Sequence, residues 1–246
     1  MCELLAVAFP EPQPFERVHP WALALERLGV AGFGWGVAWI ADGAVAGYRS
    51  PGRLADDRLG ADRVLRVRSS RFLVHLRRPS QLSTTGLADS QPFVSTAEAL
   101  AFAHNGRFER AEALRPRFAA RLLGRADSEV GFQLFAELCR GGTAPAAALA
   151  DAHRQLGGPA NLVALTGDGS CVVHAGNPGN DVWQFRLQDA TVASTALHSA
   201  DEALFTLCLP GARERRRIAG GSTLADPLSA GRAAPPGRSQ STALRR

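Results

Sequence analysis

Met1-Cys2-Glu3-Leu4-Leu5-Ala6-Val7-Ala8-Phe9 opens the chain, and two properties of this stretch govern the reading of the rest. From Leu4 to Phe9 it is an unbroken apolar run of strand length, which predicts a strand. Two residues ahead of Leu4 stands Cys2. Once Met1 is trimmed, that residue carries a thiol and a free α-amine together. Their reference pKa values, about 8.5 and about 7.7 to 8.0, are close enough for the amine to take the thiol proton near neutral pH. Nucleophile and base then share one residue, and amide-bond chemistry needs no histidine. A lone cysteine can equally be inert packing, so the remaining residues have to decide.

Working outward, further apolar stretches between turn residues predict strands at Trp35 to Ile40, Ala44 to Tyr48, Phe72 to Leu76 and Leu100 to Ala103. Asp42-Gly43 joins the first two as a hairpin, because both central positions of a type I′ turn need positive φ. A second hairpin is expected at Asn161 to Thr166, Gly167-Asp168-Gly169 and Ser170 to Ala175, followed by strands at Val182 to Leu187 and Thr191 to Thr195. Helical periodicity marks Trp21 to Leu28, Ala111 to Leu123, Val130 to Cys139 and Ala144 to Leu156. In the third of these, Val130, Leu134, Phe135, Leu138 and Cys139 share one face, Asp127-Ser128 offers an N-cap, and Gly141-Gly142 ends the helix. Helices interleaved with antiparallel strands, without regular βαβ alternation, give the α+β class, with two sheets covered by helices as a layered solution.

At 246 residues and 46% hydrophobic content the chain can bury one substantial core. No apolar run reaches the roughly 20 residues of a membrane span, and Glu3 stands where a secretory leader carries positive charge, so no membrane role and a cytoplasmic location are expected. Cys2, Cys139, Cys171 and Cys208 form no CxxC pair, and the six histidines no ligand motif, so neither metal nor other cofactor is expected. The formal charge is +5, but residues 213–246 hold eight arginines against Glu214 and Asp226, a balance of +6, leaving −1 for residues 1–212. Nucleic acid is therefore a minor alternative as a partner, confined to the basic end. From Thr223 onward Ser, Gly, Pro, Ala and Arg prevail without periodicity. This predicts a domain over residues 1–222 and a disordered basic tail over 223–246.

Four local patterns join Cys2. Gly32-Phe33-Gly34-Trp35-Gly36 is either a tight turn before a strand or a place where backbone approaches backbone or substrate. In His75-Leu76-Arg77-Arg78-Pro79-Ser80, Arg77 at a strand end is either a surface charge or a bidentate carboxylate clamp; the polar stretch from Ser80 to Ser90 is a loop able to cover a site. Ala103-His104-Asn105-Gly106 is either a turn or an amide beside an unobstructed backbone N–H, the two donors of an oxyanion hole. Asp127 either caps its helix or meets an ammonium group. Together with Cys2 these parts describe a site for an α-amino acid carrying a side-chain amide, free glutamine being the obvious candidate.

In their order and spacing, Met1-Cys2-Glu3-Leu4-Leu5, Gly34-Trp35-Gly36, His75-Leu76-Arg77 through Ser80, Gln91-Pro92-Phe93, Ala103-His104-Asn105-Gly106 and Asp127-Ser128-Glu129 resemble the class II glutamine amidotransferase domain of the N-terminal-nucleophile hydrolases. The likeness extends over about residues 1 to 222. It is greatest to stand-alone members similar to the ergothioneine-pathway γ-glutamyl hydrolase and their bacterial relatives. It implies a four-layer αββα sandwich of two mainly antiparallel sheets. Cys2 would be the nucleophile, its own amine the base, and Asn105 with the Gly106 N–H the oxyanion hole. Arg77 would hold the substrate carboxylate and Asp127 the α-amine, with Ser80 and His104 also in the substrate-binding set. It further implies a glutamine or γ-glutamyl amide substrate, a γ-glutamyl thioester and either a separate synthase as a partner that takes up ammonia or simple hydrolysis. The chain departs from the family in having Gln91-Pro92-Phe93 for His-Pro-Phe, and Ala196-Leu197 and Phe205 where a Pro-Leu and a downstream Trp are usual. The competing expectation is a catalytically silent member that binds or regulates a partner.

Overall fold

Along β1 (Glu3–Pro14) successive side chains alternate between two buried surfaces. Leu4, Ala6 and Ala8 pack into one apolar cluster, while Leu5, Val7 and Phe9 pack into another on the opposite face. A strand buried on both faces belongs in the middle of a layered structure, and the computed structural model places it there. The structure describes residues 2–29, 31–79, 82–195 and 202–228.

β1 is central in a seven-stranded antiparallel sheet with β2 (Trp35–Ala41), β3 (Ala44–Ser50), β4 (Arg68–Leu76), β9 (Val182–Leu187), β10 (Ala190–Thr195) and β11 (Arg213–Arg217). Its order is β11-β9-β10-β1-β4-β2-β3. A five-stranded antiparallel sheet, in the order β12-β8-β7-β6-β5, faces it. It comprises β5 (Phe93–Ser95), β6 (Leu100–Gly106), β7 (Ala160–Thr166), β8 (Cys171–Gly176) and β12 (Thr223–Ala225). The layer between the sheets is built largely from small residues: Ala6, Ala8, Ala38, Ala101, Ala103, Ala175 and Ala193, with Leu4, Leu73, Val163 and Leu165. Larger side chains face outward beneath helices. Leu5, Val7, Trp35 and Phe72 meet α1 (His19–Leu28), α2 (Arg58–Val64) and α6 (Glu202–Cys208) through Trp21, Leu25, Val64 and Phe205. On the other side Phe102 and Leu162 meet α3 (Ala111–Phe118), α4 (Asp127–Arg140) and α5 (Pro145–Leu156) through Phe118, Phe135 and Leu149. The class is α+β, with two antiparallel sheets between helical layers.

The expected strands and helices are present, most strands extended by one to several residues. Asp42 and Gly43 both have positive φ, 50° and 75°, as the hairpin turn demands. Two expectations need correction. The helix predicted over Ala111 to Leu123 ends at Phe118, two residues after Pro116, and continues only as a 3₁₀ turn over Ala119–Arg121. The boundary at 222/223 also moves: Thr223, Leu224 and Ala225 pair with His174, Val173 and Val172, and Leu228 is buried. These four apolar or small residues cannot form a core alone, but they add to one that includes β8. Residues 229–246, most of the expected tail, lie outside the described residues. The basic cluster Arg213–Arg217 is a fully exposed edge strand. No described helix is long and apolar enough to cross a membrane.

Candidate active site

Strand parity brings Cys2, the expected nucleophile, and Asn105 together. Cys2 continues the alternation of Leu4, Ala6 and Ala8, and Asn105 that of Ala101 and Ala103, so both reach the space between the sheets at the same end. There the Asn105 side-chain Nδ2 donates to the backbone carbonyl of Cys2. The thiol sits half-buried at a cavity of about 320 Å³, which is also lined by Arg77, Arg78, Thr84, Gln91, His104, Gly106, Phe108 and Asp127. The Arg78 N–H lies 3.4 Å from Sγ, and Sγ lies 3.7 Å from the Arg78 carbonyl. Burial pushes the thiol pKa up, and the Arg78 N–H and the Arg77 guanidinium offset only part of that. An undisturbed Cys2 is thus a protonated thiol at neutral pH, and its attack requires a proton acceptor.

Of the two expected oxyanion donors, Gly106 lines the cavity, while Asn105 is wholly buried beneath Cys2. Gly106 has φ +133°, and a Cβ there would lie 2.9 Å from Ala160 Cα and strike the Pro159 carbonyl oxygen, so only glycine fits. The segment after it is pinned: the Arg107 N–H donates to Pro159 O at 2.9 Å, and the Phe108 N–H to Asp127 Oδ2 at 2.8 Å.

Arg77 is 4% exposed, and its fork is occupied differently from the expectation. Nη1 donates to the Asp89 carbonyl, and Nη2 to the carbonyl and, at 2.9 Å, the Oγ1 of Thr84. Burial lowers its pKa. The guanidinium therefore fastens the covering segment over the cavity wall, leaving Nε without a protein partner. That segment contains two 3₁₀ turns, Leu82–Thr84 and Leu87–Asp89. Asp127 lines the cavity as the first residue of α4 and does not cap it. Position 126 is the N-cap, and the Asp127 oxygens accept from Phe108 N and from Ser128 N at 2.9 Å. His104 lines the cavity with its ring stacked on Phe108, centroids 4.3 Å apart and planes 11° apart, and burial lowers its pKa. Ser80 and Ala196-Leu197 lie outside the described residues. The Gly32 to Gly36 stretch is a place of close approach: a Cβ on Gly34 would come within 2.9 Å of Ser90 Oγ, and one on Gly36 within 2.8 Å of Tyr48 O.

Several residues of the site lie outside the expected set. Gln91, which stands in place of the family histidine, lines the cavity and accepts from the His104 N–H through Oε1 at 2.7 Å, bracing the strand that carries Asn105. Asp89 accepts from Arg125 N at 2.6 Å and Ala126 N at 2.7 Å, while its own carbonyl holds Arg77. It thereby ties the arginine to the start of α4. Asn161, Asn177 and Asn180 surround Asn105. A turn signature in Asn177-Pro178-Gly179-Asn180 points to two of these in the sequence; Asn161 reads as an ordinary strand residue.

The family model described as glutamine amidotransferases class-II matches residues 1–201. A comparison with curated protein sequences gives no match. Among solved structures, glutamine phosphoribosylpyrophosphate amidotransferase from B. subtilis is similar with TM-score 0.71 at 19% identity, covering 91% of this chain and 47% of that one. A glutamine aminotransferase class-II domain protein from Silicibacter pomeroyi is similar with TM-score 0.57 at 18% identity, covering 91% and 94%. A predicted glutamine amidotransferase from Pseudomonas aeruginosa PA01 gives TM-score 0.54 at 16% identity, covering 91% and 96%. The chain thus spans about half the length of the first of these and nearly all of the other two.

Proposed function

Since the chain belongs to the class II glutamine amidotransferases, we propose that it cleaves the side-chain amide of glutamine, or of a γ-glutamyl amide, through a thioester on Cys2. The observation that carries this reading is the thiol at the cavity, with Gly106, Arg77 and Asp127 on the same wall and the Asn105 amide on the carbonyl of the nucleophile's own residue. With Met1 removed, the α-amine takes the thiol proton and sulfur attacks the amide carbon. The C–S bond forms as the carbonyl electrons move to oxygen, where the second hydrogen of the Asn105 amide and the Gly106 N–H are the donors. Collapse breaks the C–N bond, the amine returns its proton to the leaving nitrogen, and ammonia or a larger amine departs. Water then attacks the thioester through the same donors and releases glutamate. Arg77 reaches the substrate carboxylate by exchanging its carbonyl partners at Thr84 and Asp89 for it. The ammonia goes either to a separate synthase or to solvent.

The test is covalent labelling of the Met1-trimmed protein by a glutamine-like electrophile, read by intact mass, beside glutaminase turnover. One adduct at Cys2, absent in Cys2→Ala together with turnover, is expected. An unlabelled wild type, or turnover by Cys2→Ala, refutes the reading.

A further inference from the structure

Four asparagines meet at the open end of the layer between the sheets, and their hydrogen bonds run in one direction. Asn105, Asn161, Asn177 and Asn180 are each 5% exposed or less. The side-chain oxygen of Asn105 accepts from the amides of Asn161 at 3.1 Å, Asn177 at 3.3 Å and Asn180 at 3.3 Å. Asn161 stands directly opposite Asn105 on β7. Its own amide also donates to Asn180 O at 2.6 Å, and its oxygen accepts from the backbone of Gly176 and Asn177, both at 3.1 Å. Every donor and acceptor of the Asn161 side chain is thereby used.

This arrangement has one consequence for Asn105. An amide can be turned by half a revolution with no change of shape, exchanging its NH₂ and its oxygen. Turned, Asn105 would set NH₂ against three NH₂ groups and its oxygen against the Cys2 carbonyl, losing every bond it makes. We propose that Asn161, with Asn177 and Asn180 from the β8–β9 turn, is a positioning residue that holds the Asn105 NH₂ toward Cys2. One hydrogen of that group is given to the Cys2 carbonyl and the other is kept for the reacting oxygen. The three donors converging on the Asn105 oxygen also polarise its NH₂ and so strengthen it as a donor. This inference rests on the glutaminase reading, because an oriented donor matters only where an oxyanion develops.

The experiment compares Asn161→Asp, Asn105→Ala and the double variant, all Met1-trimmed, in steady-state hydrolysis of glutamine with thermal unfolding alongside. A carboxylate at 161 opposes both the Asn105 oxygen and Asn180 O, so it favours the turned amide. Loss of one oxyanion donor lowers kcat by roughly 10² to 10³, and Asn161→Asp is expected to approach that fall with KM changed by less than about threefold. The double variant is expected to be no slower than Asn105→Ala. A folded Asn161→Asp with wild-type kcat, or losses that multiply in the double variant, overturns the proposal. If Asn161→Asp does not fold, Asn180→Ala takes its place: it removes one of three donors, and the same absence of further loss on Asn105→Ala is expected, multiplied losses again overturning the proposal. Turnover by Cys2→Ala in the same series removes the glutaminase reading, and this inference with it.

Discussion

Gly106→Ala separates a site built on backbone geometry from one built on side chains alone. Gly106 ends β6 at φ +133°, where an L side chain is strained, at about 1–3 kcal/mol. The added Cβ would stand 2.9 Å from Ala160 Cα and from the Pro159 carbonyl carbon, and closer still to that carbonyl's oxygen. Reaching an ordinary contact of 3.4 Å means opening the strand end from the 159–160 segment by at least 0.5 Å. Overpacking of this kind adds about 1–3 kcal/mol, for a combined cost of about 2–6 kcal/mol. At roughly 2–4 °C per kcal/mol for a domain of this size, the melting temperature should fall by about 4–24 °C. The Gly106 N–H moves with the strand end relative to Cys2, and since an ångström of misplacement can cost about a hundredfold in rate, kcat should fall roughly ten- to a hundredfold. Differential scanning fluorimetry and coupled glutamate release measure the two quantities. A variant with wild-type melting and wild-type turnover refutes the argument, because it would mean that the contact with Pro159 does not set the position of Gly106.

Removing Asp89 should loosen the tie between Arg77 and α4: Asp89→Ala leaves the N–H groups of Arg125 and Ala126 without their acceptor and is expected to cost about 2–3 kcal/mol in urea unfolding. Asp89→Asn, which retains an acceptor oxygen, should lose less than half of that, and equal losses would contradict the assignment. Because burial raises the Cys2 thiol pKa, protein that retains Met1 should alkylate slowly at pH 7, with a rate still rising at pH 9; Met1-trimmed protein should react faster near neutrality, where its α-amine takes the proton. Stopped alkylation followed by peptide mass analysis checks this, and equal rates for both forms at pH 7 would exclude the amine as base. His174 should make stability depend on pH: burial, with the neighbouring His153, lowers its pKa to about 4. The neutral form is favoured in the folded state, so this contribution is complete above the unfolded value of about 6.5 and is lost as pH falls from there toward 4, on the order of 3 kcal/mol. Melting curves from pH 7 to pH 4 should show a smaller decline for His174→Gln than for the wild type, and parallel declines would count against it.

The strands and helices were legible where burial imposes a period. β1 alternates small and large residues between two apolar surfaces, α4 repeats Val130, Leu134 and Phe135 along one face, and Asp42-Gly43 carries the left-handed backbone its turn needs. The elements without a signal are those held by their neighbours. β12 has three residues and gains its hydrogen bonds from β8; β5 is equally short and lies beside β6. Arg213–Arg217 has the composition of a solvated segment and is indeed exposed, yet its backbone completes an edge next to β9. Composition reports what side chains can bury, and it is silent about a backbone that pairs at an edge.

The site divides along the same line. Cys2, Gly106 and Asp127 were identifiable because a thiol, a glycine before a loop and an acid at a helix start each restrict the chemistry they can do, and all three line one cavity. The sequence leaves Arg77 open between a surface charge and a carboxylate clamp; it is buried, and its Nη donors go to the Thr84 and Asp89 carbonyls. A guanidinium in so buried a position is costly without acceptors, and both of its Nη groups have them; if Arg77 holds a substrate carboxylate as proposed, those acceptors have to be exchangeable. Backbone carbonyls of the covering segment meet that need: they are neutral, and a substrate carboxylate can replace them at gain in charge complementarity. Asn105 shows the opposite solution. It is not exchanged but fixed, by three amides at the end of an inter-sheet layer otherwise made of alanine, leucine and valine. A polar cluster is tolerated there only because each of its members satisfies another, and this mutual dependence ties Asn161 on β7 to Asn105 beneath Cys2.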